Sequence, residues 1–102
     1  MAPLSAMVDT GSIHSMVPES LLSRLGLAAH ERLSYSLADG REVEYGYGIA
    51  RFAIDGREFP CPVIFGPEEE ALLGATTLEI FNLAVDPIGQ QLLPAQYRAR
   101  PV

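Results

Sequence analysis

Four consecutive residues near the start of the chain, Asp9-Thr10-Gly11-Ser12, carry groups that acid–base chemistry uses. Asp9 follows the small apolar run Ala6-Met7-Val8, and a carboxylate at the end of an apolar strand is costly to ionise unless neighbouring groups stabilise it. Thr10 and Ser12 add hydroxyls, and Gly11 removes a side chain where another backbone can approach. All four residue types also form ordinary turns, so the motif alone fits a simple turn equally well.

The composition predicts a single globular domain. The chain has 102 residues, of which 48% are hydrophobic and 20% charged, which is enough to build a core. The net charge is −6, and the seven basic residues, all arginine, are scattered along the sequence. Nucleic acid and anionic membrane surfaces both need clustered positive charge, so this balance argues against them as main partners.

The cysteine content and the start of the chain bear on location and on metals. Cys61 is the one cysteine, so it can form neither an intrachain disulfide nor, alone, a multi-cysteine metal site. No apolar run approaches the ~20 residues of a membrane span. Met1-Ala2-Pro3-Leu4-Ser5 lacks the basic end and long apolar core of a signal peptide. We therefore expect a soluble, cytoplasmic protein with no metal ion and no other cofactor.

Short elements must position Asp9. Leu4 to Val8 predicts a strand that ends at the motif, and Pro18 to Leu25 predicts a helix packed on the core. Alternating apolar residues on either side of Asp39-Gly40 predict a hairpin, and Asp55-Gly56 predicts a second hairpin turn.

The second half of the chain continues this pattern. Glu58 to Phe65 predicts a strand whose two prolines, Pro60 and Pro62, imply a sheet edge or an irregular stretch. A short buried strand, a helix and a final pair of strands follow, at Leu72-Leu73, Ala75 to Phe81, Leu83 to Val85 and Gln91 to Leu93. The sum is a mostly-β domain with two short helices and a small closed, barrel-like sheet.

This order of features resembles the retropepsin-like aspartic proteases, a single-domain family that includes retroviral proteases and their bacterial relatives. The resemblance rests on Asp9-Thr10-Gly11-Ser12, the helix and hairpins after it, and Ala71-Leu72-Leu73-Gly74-Ala75 before a second helix. It covers Met7 to about Pro94 and implies a bacterial-type member with an acid-protease fold over residues 1–102. Only eight residues precede Asp9, so either the family's N-terminal strand is missing or the dimer is built differently.

The resemblance implies an aspartic endopeptidase. Hydrolysis of a peptide bond needs a base to activate water and an acid to protonate the reacting groups. Two carboxylates held close together share one proton and supply both. Asp39, Asp55 and Asp86 carry no second copy of the motif. A homodimer would bring Asp9 of each subunit together at a two-fold axis, with a peptide or protein as substrate.

By resemblance, the other motif residues support this site. Thr10 would bond across the axis, Gly11 would offer its N–H to the carboxylate, and Ser12 would buttress the carboxylate from outside. The hairpin tip Ala38-Asp39-Gly40-Arg41 would be the flap that closes over a bound peptide, and Leu72-Leu73-Gly74 would pack beneath the active-site loop.

Other interpretations remain open from the residues themselves. The chain could be a non-catalytic retropepsin-like module for dimerisation or peptide binding, because a fold does not guarantee an activity. The tyrosines of the first hairpin, Tyr35, Tyr45 and Tyr47, could line a peptide cleft, although cross-strand packing is the simpler role. We expect Cys61 to be a buried, inert thiol and the lone His14 not to bind metal.

Overall fold

The structure, a computed structural model, describes residues 3–68, 71–86, 88 and 91–94. These residues form eight strands and two short helices. In chain order the elements are β1 (Met7–Val8), β2 (Ser15–Pro18), α1 (Glu19–Arg24), β3 (Glu31–Ser36), β4 (Glu42–Ile54), β5 (Arg57–Gly66), β6 (Leu72–Leu73), α2 (Ala75–Ile80), β7 (Leu83–Asp86) and β8 (Gln91–Pro94). Neither helix has the length and apolar character of a membrane-spanning segment.

Two consecutive hairpins, β3–β4 and β4–β5, form the centre of the sheet. The turns fall at the two predicted Asp-Gly pairs, and Gly40, Asp55 and Gly56 all have positive φ. β4 is one continuous strand of 13 residues that pairs with β3 through its first half, from Glu42 to Tyr47, and with β5 from Gly46 to Ile54. Pro60 and Pro62 pair with β4, and the opposite side of β5 pairs with β2 only from Val63 onward. The prolines therefore lie where β5 is an edge, as predicted.

Non-local strands complete the sheet around the motif. β2 pairs in parallel with β5, while β6 lies between β2 and β1, antiparallel to β2 and parallel to β1. The resulting order is β1-β6-β2-β5-β4-β3, and β7 and β8 form a separate two-stranded sheet. The predicted strand at Leu4 to Val8 is shorter than expected, because only Met7 and Val8 pair with β6.

The prediction of a closed, barrel-like sheet is wrong. Among the described residues the six-stranded sheet is open, with β1 at one edge and β3 at the other. Closure into a barrel requires the two edge strands to pair along their length. β1 has two residues, too few for such pairing with β3. The mostly-β composition with two short helices is as predicted.

Both helices cover the same face of the sheet. Side chains alternate along a strand, so Cys61, Val63 and Phe65 of β5 point to one side. Val63 and Phe65 pack with Leu22 of α1, whereas Cys61 packs in a second cluster with Leu78 of α2. The partly buried side chain of Phe52 packs against both clusters, so the two small cores are continuous through β4.

The helix ends agree closely with the predicted positions. Pro18 precedes the first helical residue of α1 and ends β2, and Gly26 follows the last turn with φ +82°. Proline has no N–H to lose at a helix start, and glycine adopts positive φ without a Cβ penalty. α2 begins directly after Gly74 and ends at Ile80, one residue earlier than predicted.

Candidate active site

Asp9 lies immediately after β1, with its side chain exposed to solvent. Its backbone N–H donates to the carbonyl oxygen of Leu73 at 2.9 Å, which continues the β1–β6 pairing by one residue. The backbone N–H of Gly11 donates to Asp9 Oδ1 at 3.0 Å. Oδ2 receives no hydrogen bond from the described residues. The carboxylate is therefore oriented through one oxygen and open to solvent at the other.

The backbone after Asp9 turns tightly. The N–H of Ser12 donates to the carbonyl oxygen of Asp9 at 3.1 Å, which closes a turn over the four motif residues. A Cβ on Gly11 would lie 3.2 Å from Asp9 Oδ1, so a side chain there would press on the carboxylate. The hydroxyl of Ser12 donates to the carbonyl oxygen of His14 at 2.8 Å rather than to the Asp9 carboxylate. The Ser12 hydroxyl therefore stabilises the backbone of the loop through His14.

Thr10 lies at the outer side of the loop, exposed to solvent. It borders a hollow of about 450 Å³ whose other walls come from α2 and β7. The remaining lining residues are mostly apolar: Ala75, Leu78, Glu79, Leu83, Ala84 and Val85. The Thr10 side chain therefore faces open space next to an apolar surface.

The segment Leu72-Leu73-Gly74 lies directly against the active-site loop. Leu72 and Leu73 form β6 between β1 and β2, and Gly74 is buried. A Cβ on Gly74 would come within 2.5 Å of the His14 carbonyl group and 2.8 Å of the Ser12 oxygen. Only glycine fits this contact between two backbones.

Two further residues at the site, Ser15 and Thr77, were missed from the sequence. Both are completely buried, and their hydroxyls hydrogen-bond to each other. Ser15 Oγ also accepts the backbone N–H of Gly74 at 3.0 Å. Ser15 occupies the same inward face of β2 as Val17, so a polar residue at an inward position was a usable signal once β2 was recognised.

Among the described residues, the hairpin tip makes no hydrogen bond to the motif. The hydrogen bonds of Ala38-Asp39-Gly40-Arg41 in the described chain stay within the turn, where Arg41 Nε and Asp39 Oδ2 form an exposed ion pair at 2.6 Å. Contact with the loop occurs further down, where the His14 ring packs edge-on against Tyr47 of β4 at 5.2 Å between centroids.

Aromatic side chains gather on this face of the first hairpin. The rings of Tyr35 and Tyr45 lie 5.9 Å apart. Burial raises the pKa of Tyr35, and the nearby Tyr47 and Glu31 add to the increase. Tyr35 Oη and His14 Nδ1 are both buried, and neither has a hydrogen-bond partner among the described residues. Such groups are costly to leave unsatisfied, so a partner for them is expected.

The described residues include no candidate metal site and no accessible thiol. No group of three or more histidine, cysteine, aspartate or glutamate side chains that could hold a metal ion occurs within the described part of the chain. Cys61 is fully buried, and burial raises the pKa of its thiol against a smaller, opposing effect of the Thr77 hydroxyl. Nucleophilic cysteines have a lowered pKa and are accessible, so Cys61 is a packing residue.

Comparison with known proteins agrees with this geometry. A sequence model of the aspartyl protease family matches residues 2–77, which include the Asp9 loop, both hairpins and the Gly74 contact. No individual curated protein matches the chain at a significant level. The match spans well over half of the sequence and includes the carboxylate with the segment that supports it. The chain therefore belongs to the retropepsin-like aspartyl protease family.

Proposed function

We propose that this chain is a homodimeric aspartic endopeptidase, in which the two Asp9 carboxylates, one from each subunit, activate a water molecule. The observation that supports this proposal is the hydrogen bonding of Asp9. Its backbone is fixed by Leu73 and its Oδ1 by Gly11, while Oδ2 accepts no hydrogen bond from the described residues and Asp9 as a whole is exposed. An oriented carboxylate with one open oxygen can take a proton from water or share a proton with a second carboxylate.

The second carboxylate must come from another chain. Asp39 is engaged with Arg41 in the hairpin tip, and Asp55 forms the other tight turn. Asp86 Oδ1 accepts the backbone N–H of Ile88 at 3.0 Å. Each of these aspartates has a local role in its own turn, far along the chain from the motif. A two-fold axis beside Asp9 supplies the missing partner with no further residue.

The surroundings of the loop support a dimer. Met7 and Ile13, on either side of the motif, are each 69% exposed, which is unusual for large apolar side chains near a site. The apolar hollow beside Thr10 adds uncovered surface at the same place. A second subunit on this axis would cover these side chains and bring Thr10 of one chain next to its counterpart.

The first hairpin is proposed to close over the peptide. Its half-buried face carries Leu33, Tyr35, Val43, Tyr45 and Tyr47 in cross-strand register. These side chains favour apolar and aromatic residues beside the cleaved bond. A bound peptide would also supply partners for the unsatisfied Tyr35 hydroxyl and His14 imidazole.

The proposal is tested by peptide cleavage with Asp9→Asn as the central variant. Mass spectrometry of a mixed peptide library should show products at mildly acidic pH, where a carboxylate pair holds one proton. Asp9→Asn should lower kcat by about 10³-fold or more and leave the fold unchanged. Asp55→Asn is the matched control, because it makes the same chemical change in a turn that tolerates asparagine at positive φ.

Mixing experiments test the two-chain site directly. Parent and Asp9→Asn protein are mixed in equal amounts and allowed to exchange subunits freely. About one quarter of the dimers then carry two Asp9 carboxylates, so activity should fall to about one quarter of that of the parent at the same total protein concentration. A fall to only one half would mean that each chain acts alone, and the shared site would be wrong. Peptide binding without any product would favour a non-catalytic binding module instead.

A further inference from the structure

A hydrogen-bonded pair of hydroxyls lies beneath the active-site loop. Ser15 and Thr77 have no exposed surface, and their side chains bond to each other across 62 positions of sequence. Buried hydroxyls destabilise a core unless they are hydrogen-bonded. Two of them here, in a domain with few fully buried side chains, indicate a role beyond filling space.

Ser15 reaches the site through the backbone of Gly74. Its Oγ accepts the Gly74 N–H at 3.0 Å. Directly before Gly74, the carbonyl oxygen of Leu73 accepts the N–H of Asp9 at 2.9 Å. Directly after it, the N–H of Ala75 donates to the carbonyl oxygen of Ser12 at 2.7 Å. The two ends of the Asp9 loop are therefore hydrogen-bonded to Leu73 and Ala75. These residues flank Gly74, which is itself hydrogen-bonded to Ser15.

Thr77 ties the same point to α2. It lies in the middle of the helix that begins after Gly74, and its hydroxyl is hydrogen-bonded to Ser15 Oγ. The N–H of Thr76 also donates to the carbonyl oxygen of Ile13 at 3.0 Å. A change at either hydroxyl would therefore alter the position of Gly74 relative to the loop, without touching Asp9 itself.

We propose that Ser15, supported by Thr77, is a positioning residue that sets the orientation of the Asp9 carboxylate through the Gly74 backbone. This inference rests on the proposed peptidase function, since orientation matters only if Asp9 reacts. Two carboxylates that share a proton must meet in a narrow range of geometry, and misplacement by about 1 Å lowers rates by about 10²-fold.

The test compares three substitutions in the intact 102-residue chain. Ser15→Ala removes the acceptor of the Gly74 N–H, and Thr77→Val removes a hydroxyl at nearly constant volume. Thr77→Ser keeps the hydroxyl and should rescue activity. Leu22→Ala is the control for general destabilisation, because Leu22 is buried in α1, in the cluster away from Cys61 and Leu78. All variants are assayed at a temperature at which circular dichroism shows them folded.

We expect Ser15→Ala to lower kcat by about 10²-fold and Thr77→Val by about tenfold, with KM changed less than about twofold. Thr77→Ser and Leu22→Ala should keep kcat within about twofold of the parent. The double variant Ser15→Ala/Thr77→Val should be no slower than Ser15→Ala alone, since both changes act on one hydrogen bond. Two results would overturn the inference and leave the peptidase function standing. One is a double variant whose loss of kcat is the product of the two single losses, and the other is a Ser15→Ala enzyme with the full kcat of the parent.

Amide hydrogen exchange gives a readout that needs no activity. In the parent, the N–H groups of Asp9, Gly74 and Ala75 should exchange slowly, and Ser15→Ala should accelerate all three together. If the parent cleaves no peptide, the proposed function fails, and exchange still decides whether Ser15 holds the loop. Faster exchange at Gly74 with unchanged protection of Asp9 and Ala75 would contradict the positioning role.

Discussion

Gly74→Ala should be among the most damaging single substitutions in this protein. The new Cβ would lie 2.5 Å from the carbonyl carbon and oxygen of His14 and 2.8 Å from the Ser12 oxygen, all of them backbone atoms. The two segments must separate by about 0.9 Å to restore van der Waals contact. Overpacking of this kind costs about 1–3 kcal/mol.

The separation also stretches hydrogen bonds on both sides of the residue. The Gly74 N–H to Ser15 Oγ bond and the Ala75 N–H to Ser12 bond each contribute about 1 kcal/mol. We therefore expect the free energy of unfolding to fall by about 3–5 kcal/mol, a large part of the ~5–15 kcal/mol typical of a domain. Urea unfolding followed by circular dichroism measures this loss directly.

Gly66→Ala is the matched control. Gly66 is also buried, at the end of β5, but the three atoms nearest to its new Cβ all belong to the Met16 side chain, with Cγ the nearest and Sδ at 2.7 Å. The Met16 side chain can change its rotamer whereas backbone cannot, so we expect a smaller loss of about 1–2 kcal/mol. If the two variants lose stability to within about 1 kcal/mol of each other, the close backbone contact at Gly74 is not what the geometry implies.

Two further predictions concern residues away from the loop. Arg57 donates to the carbonyl oxygen of Phe81 at the end of α2, and its guanidinium lies over the Phe59 and Phe81 rings at 5.9 and 5.7 Å. Arg57→Met should lower the free energy of unfolding by about 1–2 kcal/mol in urea titrations, with partial recovery in Arg57→Lys, and an unchanged midpoint would contradict this. Folded Cys61 should resist iodoacetamide near about pH 8. Because burial raises its pKa above the ordinary 9.0, its contribution to stability is present below that value and is lost as pH rises through the folded pKa; Cys61→Ala should show a shallower alkaline loss in urea titrations.

Local signals predicted the hairpins, the helices and the motif. Asp39-Gly40 and Asp55-Gly56 form the turns because glycine tolerates positive φ, and Asp55 itself has φ +50°. The helix predicted from Pro18 to Leu25 runs from Glu19 to Arg24, so each end agrees within one residue. Such features depend on a few neighbouring residues, so they can be read from the sequence without knowing the fold.

The sheet closure and the support of Asp9 could not be read in this way. β2 has four residues and no strong alternation, and it is stabilised by partners that come 48 to 56 positions later. The hydroxyls of Ser15 and Thr77 gain their meaning only when β2 and α2 are adjacent. Long-range pairings of short strands leave little trace in composition or periodicity. For the same reason the sequence pattern indicates a closed barrel, although the sheet is open at β1.

The contact between the Asp9 loop and Gly74 also has a consequence for how the protein is made. Gly74 and Ser15 are 59 positions apart, and both hairpins must be synthesised between them. Closing so long a loop is entropically costly, so these contacts are expected to form late in folding. A chain emerging from the ribosome at about 5–20 residues per second has no shaped Asp9 loop until the segment around Gly74 has followed. The nascent chain therefore carries Asp9 without an organised active-site loop while both hairpins are being synthesised.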